Sequence, residues 1–404
     1  MPTSPSSELD VPACARTSRR TALRQLLAVA ASGIVGWPKA HADNPPPVAH
    51  GADDRLHDLG MVLGPDDRAR GAAFVDRHPS VDVHCHPGRF FLKNLPYETP
   101  TSRAFGAPFE ARALADMNAG RVSAALFAGV SDMRLLELTK DGIRAAREFG
   151  EGEALADYRR QVAELKELVK SRLAAPGRTP REILDAAHRH HTAAVFAIEG
   201  GDFIEDRLDR VHAAFADGVR AITIVHYHVN QIGDIQTAAP VHNGLTPLGK
   251  SIVREMNSAG IVVDLAHATF EVCRDALEVA SRPVILSHTN LARPTVQHPR
   301  LVTVEHARLV ASAGGLIGSV PSGIGQSTFG EYVDSIQRLI DAVGIDHVAI
   351  GTDMDANYRP ILRNYRDWSL IPAALLARGL DEVSVAKVMG GNFLRVFAAV
   401  LAHH

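Results

Sequence analysis

Eight short apolar runs, separated by stretches of amphipathic helical period, predict a (β/α)8 TIM barrel forming a single domain. Two further observations support this. Six of the eight runs finish in histidine, aspartate or glutamate, the pattern of a parallel barrel whose site is built at the C-terminal ends of its strands. An open doubly wound sheet is the alternative, and no Gly-x-Gly-x-x-Gly follows the first run to support it.

In chain order the strand candidates are residues 81–86, 122–128, 193–199, 219–226, 261–267, 283–288, 315–320 and 347–353. A long amphipathic region, 135–173, follows the second run, with Leu155, Tyr158, Val162, Leu165 and Val169 at helical spacing. Helix candidates then fall at 207–216, 247–259, 270–280, 304–313, 330–343 and 381–401.

The first 42 residues are read as an address. Arg19-Arg20 precedes the apolar run Leu26 to Trp37, and Ala40-His-Ala42 is a small-x-small cleavage pattern. A run of about 12 residues is too short for the roughly 20 that a membrane-spanning helix needs. The paired arginines resemble a twin-arginine export signal, so a periplasmic protein carried by that route or by general export machinery is expected. Residues 43–78 form a lead segment and 79–404 the barrel domain.

Removing the signal takes away five basic and two acidic residues, moving the formal charge from −3 to −6. That balance offers nothing to nucleic acid or anionic membranes. Cys85 and Cys273 remain, too few and too far apart for a disulfide framework. Twenty histidines favour metal or proton chemistry, although tracts such as His188, His190 and His191 account for part of them.

The strand ends carry that chemistry. The first run, Val81-Asp-Val-His-Cys-His-Pro-Gly88, places His84 and His86 two apart, hence on one side of a strand. Later runs end near Glu199, His226 and His228, His267, His288 and Asp353. Several neutral imidazoles with a carboxylate suit zinc or a similar ion. A carboxylate shared by two ions would hold an acidified water between them, and Asp353 could take its proton.

These motifs resemble the membrane (renal) dipeptidases of peptidase family M19, within the metal-dependent amidohydrolase-like barrels. The resemblance rests on Ile198-Glu-Gly-Gly201, Ile222-Thr-Ile-Val-His-Tyr-His-Val-Asn230, Gly244-Leu-Thr-Pro-Leu-Gly249, Val263-Asp-Leu-Ala-His267, Leu286-Ser-His-Thr289, Ile350-Gly-Thr-Asp-Met-Asp355 and Gly391-Asn-Phe-Leu-Arg-Val396. It implies a dipeptidase using two divalent ions, zinc being the expected one. Glu199, His267 and His288 would hold one ion, and His84, His86 and Glu199 the other. His226 would contact substrate and stabilise the oxyanion, Arg300 would bind the substrate carboxylate, and Asp353 would shuttle the proton. Asp202, Asp264 and Asp355 are candidates for orienting the ligands, and Cys85 for the core. The family is often dimeric, so a homodimer is an expectation.

One position departs. The family has His-x-Asp on its first strand, whereas this chain has His84-Cys-His86. A neutral ligand in place of an anion implies a more acidic bridging water and a weaker or differently selective second ion. A lactone, β-lactam or N-acyl amino acid as substrate, or a relative that binds peptide or metal without turnover, are the rival readings.

Overall fold

The computed structural model describes residues 59–140 and 142–402. The export signal expected at 1–42 and the start of the lead segment lie outside the described residues. The rest of the lead includes a helix, Pro65–Arg77, which lies against helix Leu370–Ala377 so closely that a Cβ at Gly71 would collide with Ser369 O and Ala373.

All eight predicted strands are present. They are β1 (Val81–Cys85), β2 (Ala124–Val130), β3 (Ala193–Glu199), β4 (Val219–Thr223), β5 (Val262–Asp264), β6 (Ile285–Thr289), β7 (Leu316–Ser319) and β8 (Val348–Ile350). Every neighbouring pair is parallel, and β8 pairs with β1 through Asp82 and Ile350, so the sheet closes into a barrel.

Period-two alternation sorts the side chains. Val81, Val83, Ala124, Leu126, Ala128, Val195 and Ala197 belong to one buried cluster, which the closing helix Asn392–Leu401 completes with Phe393 and Phe397. Small side chains suit the narrow lumen of an eight-stranded barrel. Asn392 donates to Ile345 O and Val348 O, both at 2.8 Å, and so holds the closing helix at the N-terminal end of β8. Ala125, Phe127, Phe196 and Ile198 join the other cluster, between the barrel and its helices.

Strand β1 contains an irregularity that decides the chemistry. Asp82 pairs with Ala125 and Cys85 with Phe127, so three steps on β1 oppose two on β2. Val83 faces the lumen, where a Cβ on Gly318 or Gly351 would strike it as well as Ser287 O. Unbroken alternation from Val83 would send His84 outward. The extra residue restores it to the inside and leaves Cys85 buried on the outer face, as the core position expected of it.

The region 135–173 is not continuous helix. Leu136–Thr139 and Gly142–Ala145 pair as an antiparallel hairpin, and the helix begins only at Glu153. The segment Leu136-Glu-Leu-Thr139 alternates apolar and polar with a β-branched residue, and Gly142 has φ 122°, a conformation open to glycine. The helix Glu153–Lys170 buries Tyr158, Val162 and Leu165 as their spacing predicts.

Glu153 anchors the junction between hairpin and helix. Arg147 donates to both carboxylate oxygens at 2.7 Å, Gly150 N at 2.9 Å and Tyr97 OH at 3.1 Å. The bonds from Arg147 lead in holding its pKa at about 2, below the ordinary 4.5. A depressed carboxylate stabilises the fold above its unfolded pKa, and that stability is lost as pH falls from about 4.5 towards 2. Glu153→Gln is therefore expected to lower the melting temperature at pH 7 by about 2 °C, small because the pair is partly exposed. The gap to wild type should shrink as pH drops through that window, which differential scanning calorimetry at pH 7 and pH 3 would show.

Candidate metal centre

Glu199, the last residue of β3, is fully buried, and histidine rings surround it. Its Oε1 lies 3.0 Å from His267 Nε2, 3.4 Å from His84 Nε2 and 3.5 Å from His288 Nε2. Its Oε2 lies 3.3 Å from His226 Nε2 and 3.5 Å from His86 Nε2. Asp353 Oδ1 comes within 3.2 Å of His86 Nε2 and 3.9 Å of His84 Nε2. The structure thus brings together seven of the eight residues expected to bind metal or substrate, Arg300 being the eighth. One grouping differs from the implied one: His84 faces the same carboxylate oxygen as His267 and His288, and His86 shares the other with His226.

Only some of these residues end strands as the sequence suggests. His226, His267 and Asp353 each lie three residues past β4, β5 and β8. His267 and Asp353 adopt φ of 67° and 56°, a costly conformation for residues with a Cβ and one that turns each side chain back over the barrel mouth. Asp353 N donates to His84 O at 2.9 Å, tying that turn to β1.

Several of the rings are held by their outer nitrogens. His86 Nδ1 donates to Ala128 O at 2.7 Å, and His288 Nδ1 to Ser287 Oγ at 2.9 Å. Ser287 Oγ in turn donates to Asp264 Oδ2 at 2.6 Å, as does Thr223 Oγ1 at the same distance. Asp264 therefore orients this side, as expected of it. Asp355 accepts from Gly88 N at 2.7 Å and fixes the loop after β1, while Asp202 holds His228 Nδ1 at 2.7 Å. His228 also meets Glu148 at 2.9 Å. The ring that faces Glu199 is His226.

Such a donor set asks for a cation. With their outer nitrogens engaged, His86 and His288 present lone pairs inward, and His267 Nε2 sits 3.0 Å from His288 Nε2. Glu199 Oε1 is buried, and no hydrogen bond of good geometry reaches it among the described residues. Burial opposes charge on His84, yet Glu199 together with Asp353 and Asp264 outweighs it and lifts the ring to about 9. Burial, reinforced by Arg300, keeps His267 well below the ordinary imidazole value. Three groups have ligand atoms close enough to share an ion: His84, His86 and Asp353; His84, Glu199 and His288; Glu199, His226 and His267. The residues fit divalent metal ions.

Comparison with known proteins identifies the family. The model of the membrane dipeptidase family, peptidase family M19, matches residues 68–403. The chain belongs to that family. It is similar to dipeptidase verJ of Clonostachys rogersoniana, 30% identical over 55% of this chain and 59% of that one. It is also similar to dipeptidase tcpJ of Claviceps purpurea, 35% identical over 45% of each. The match thus spans only about half the length of these curated relatives. Among solved structures, the probable dipeptidase PvdM of Pseudomonas aeruginosa shares the fold at TM-score 0.69 and 20% identity, over 84% of this chain and all of that one. A Rhodobacter sphaeroides metallopeptidase, solved with a phosphinate mimic of L-Ala-D-Ala, shares it at TM-score 0.67 and 20% identity, over 80% of this chain and 99% of that one.

Two features of this M19 chain stand out against the sequence expectations. Arg300, which the resemblance implies binds the substrate carboxylate, is buried at the cleft, with Nη1 donating to Gln236 Oε1 and Nη2 to His288 O at 3.4 Å. Among the described residues no carboxylate lies within ion-pair distance of its guanidinium. The second feature was not anticipated. Asp132, just beyond β2, accepts from His226 Nδ1 at 2.6 Å and from Tyr227 N and His228 N at 3.0 Å. Burial works against charge on His226, but Asp132 and Glu199 together raise its pKa above the ordinary value.

Proposed function

We propose that this chain is a metal-dependent dipeptidase acting on short peptides with a free C-terminal carboxylate. The observation that carries the reading is the buried guanidinium of Arg300 beside His288, without an internal carboxylate. A desolvated cation of this kind is stable with an anion to pair with, and its planar fork matches a carboxylate.

Two divalent ions, zinc the preferred identity, would supply Lewis acidity and an acidified water. Glu199 neutralises part of the charge of the donor set from the centre. His226, aimed by Asp132, which favours its charged form, would donate from Nε2 to the oxygen that gains charge at the scissile carbonyl. Asp353, 23% exposed at its side chain and beside His86, takes up a proton and returns it to the leaving amine. Because His86 stands where the family has an aspartate, an ion held there would be bound more weakly or with different selectivity.

Purified protein should contain two zinc-type ions per chain and hydrolyse dipeptides. Arg300→Met should raise KM by tenfold or more, with a smaller effect on kcat. Substrates cleaved equally well by both enzymes would point to an amide or ester without that carboxylate.

A further inference from the structure

The cleft has two walls, and only one of them carries a cation, Arg300. On the β1–β2 side His86 packs edge-on against Phe91, with 5.4 Å between ring centroids, and Phe91 against Phe105 at 5.9 Å. Met133, Leu136 and Ile143 continue this apolar surface. The last two belong to the hairpin, whose base is pinned to helix Pro100–Phe105 by Thr101 Oγ1 donating to Leu136 O at 2.7 Å. On the β6–β7 side Arg300, Thr289, Asn290 and Ser322 set polar groups among the apolar side chains of Leu301, Val320 and Ile324.

The barrel orders these walls. In a ring of eight, β2 and β6 are four positions apart and so stand opposite one another. The hairpin and Met133 follow β2, and Arg300 follows β6. Glu199 and the histidines lie between. A peptide whose C-terminal carboxylate meets Arg300, with its scissile carbonyl at Glu199 and His226, must extend its N-terminal residue towards the hairpin.

Resting on the dipeptidase reading above, we infer that the substrates are dipeptides whose N-terminal residue carries a large apolar side chain, seated against Phe105, Leu136 and Ile143. Burying apolar surface there is favourable, whereas a charged side chain would lose its hydration with no partner to replace it. Differences of one methylene in such a pocket discriminate roughly 10- to 200-fold, so the preference is measurable.

The test uses the full-length, zinc-loaded protein with two dipeptide series, X-Ala and Ala-X, where X is Gly, Asp, Leu or Phe. Leu-Ala and Phe-Ala are expected to exceed Gly-Ala and Asp-Ala in kcat/KM by tenfold or more, with a narrower spread across Ala-X. Ile143→Asp should collapse the ratio of Phe-Ala to Gly-Ala towards one, whereas a merely unstable enzyme would lose both rates in proportion and keep the ratio. A flat X-Ala series, or a stronger preference at the C-terminal position, overturns the inference. If no dipeptide is turned over, the activity reading fails, and calorimetric binding of the same series decides this one. Tenfold tighter binding of Phe-Ala than of Gly-Ala supports it, and equal binding overturns it.

Discussion

Glu199→Gln is expected to lower kcat/KM by on the order of a thousandfold or more and to reduce bound metal to below one ion per chain. Glutamine keeps the length and volume of the side chain, so the β3 end and its neighbours retain their packing. What it removes is the one negative charge that both halves of the donor set face, with Oε1 turned to His84, His267 and His288 and Oε2 to His86 and His226. A neutral amide also presents an NH2 group to imidazole nitrogens that must stay lone-pair inward, so it competes with metal as well as binding it less. Metal analysis of the variant beside wild type, together with dipeptide turnover, reads both effects. A variant with full metal content and full activity would remove Glu199 from the chemistry.

The barrel was legible because its strands are short apolar runs of Ala, Val, Ile and Phe whose ends meet one site, and that repetition is a signal no single motif carries. The phase within β1 was not. His84 faces the lumen through an extra residue opposite β2, and the alternation of Val81 and Val83 gives no sign of it. The hairpin was absorbed into a helix because Leu155, Tyr158 and Val162 begin a strong helical period just beyond it, and a period-two segment of four residues is weak beside that. The turns that carry His267 and Asp353 also escaped, since their positive φ comes from packing and not from glycine or asparagine in the sequence.

Asp132 was missed for a different reason. Strand β2 has no ligand at its end, and the residue's partner, His226, lies 94 positions away. The rule that worked for the other strands, to look just past each C-terminal end, would have found it two residues beyond Val130. Asp202, by contrast, was anticipated as an orienting residue, and the ring it holds is His228.

Asp132→Asn should lower kcat by roughly 10²- to 10⁴-fold while changing KM little. The carboxylate accepts three hydrogen bonds, one from His226 Nδ1 and two from the amides of Tyr227 and His228. Asparagine has one acceptor oxygen and an NH2 group. If the oxygen faces the two amides, the NH2 faces His226 Nδ1 and forces the ring to give up its proton there; if it faces the ring, the NH2 opposes two N–H groups. Either way His226 loses the carboxylate charge that favours its protonated form. Arg300 does not touch Asp132, so grip on the substrate carboxylate survives and KM is spared. Asp132 bonds none of the five residues that the resemblance implies as metal ligands, and His226 meets it through Nδ1 while Nε2 faces Glu199, so metal content should match wild type. A role confined to stability would instead lower the melting temperature and the concentration of active sites, leaving kcat per metal-loaded site unchanged. Unaltered kcat on that basis would show that His226 does not act as a charged donor.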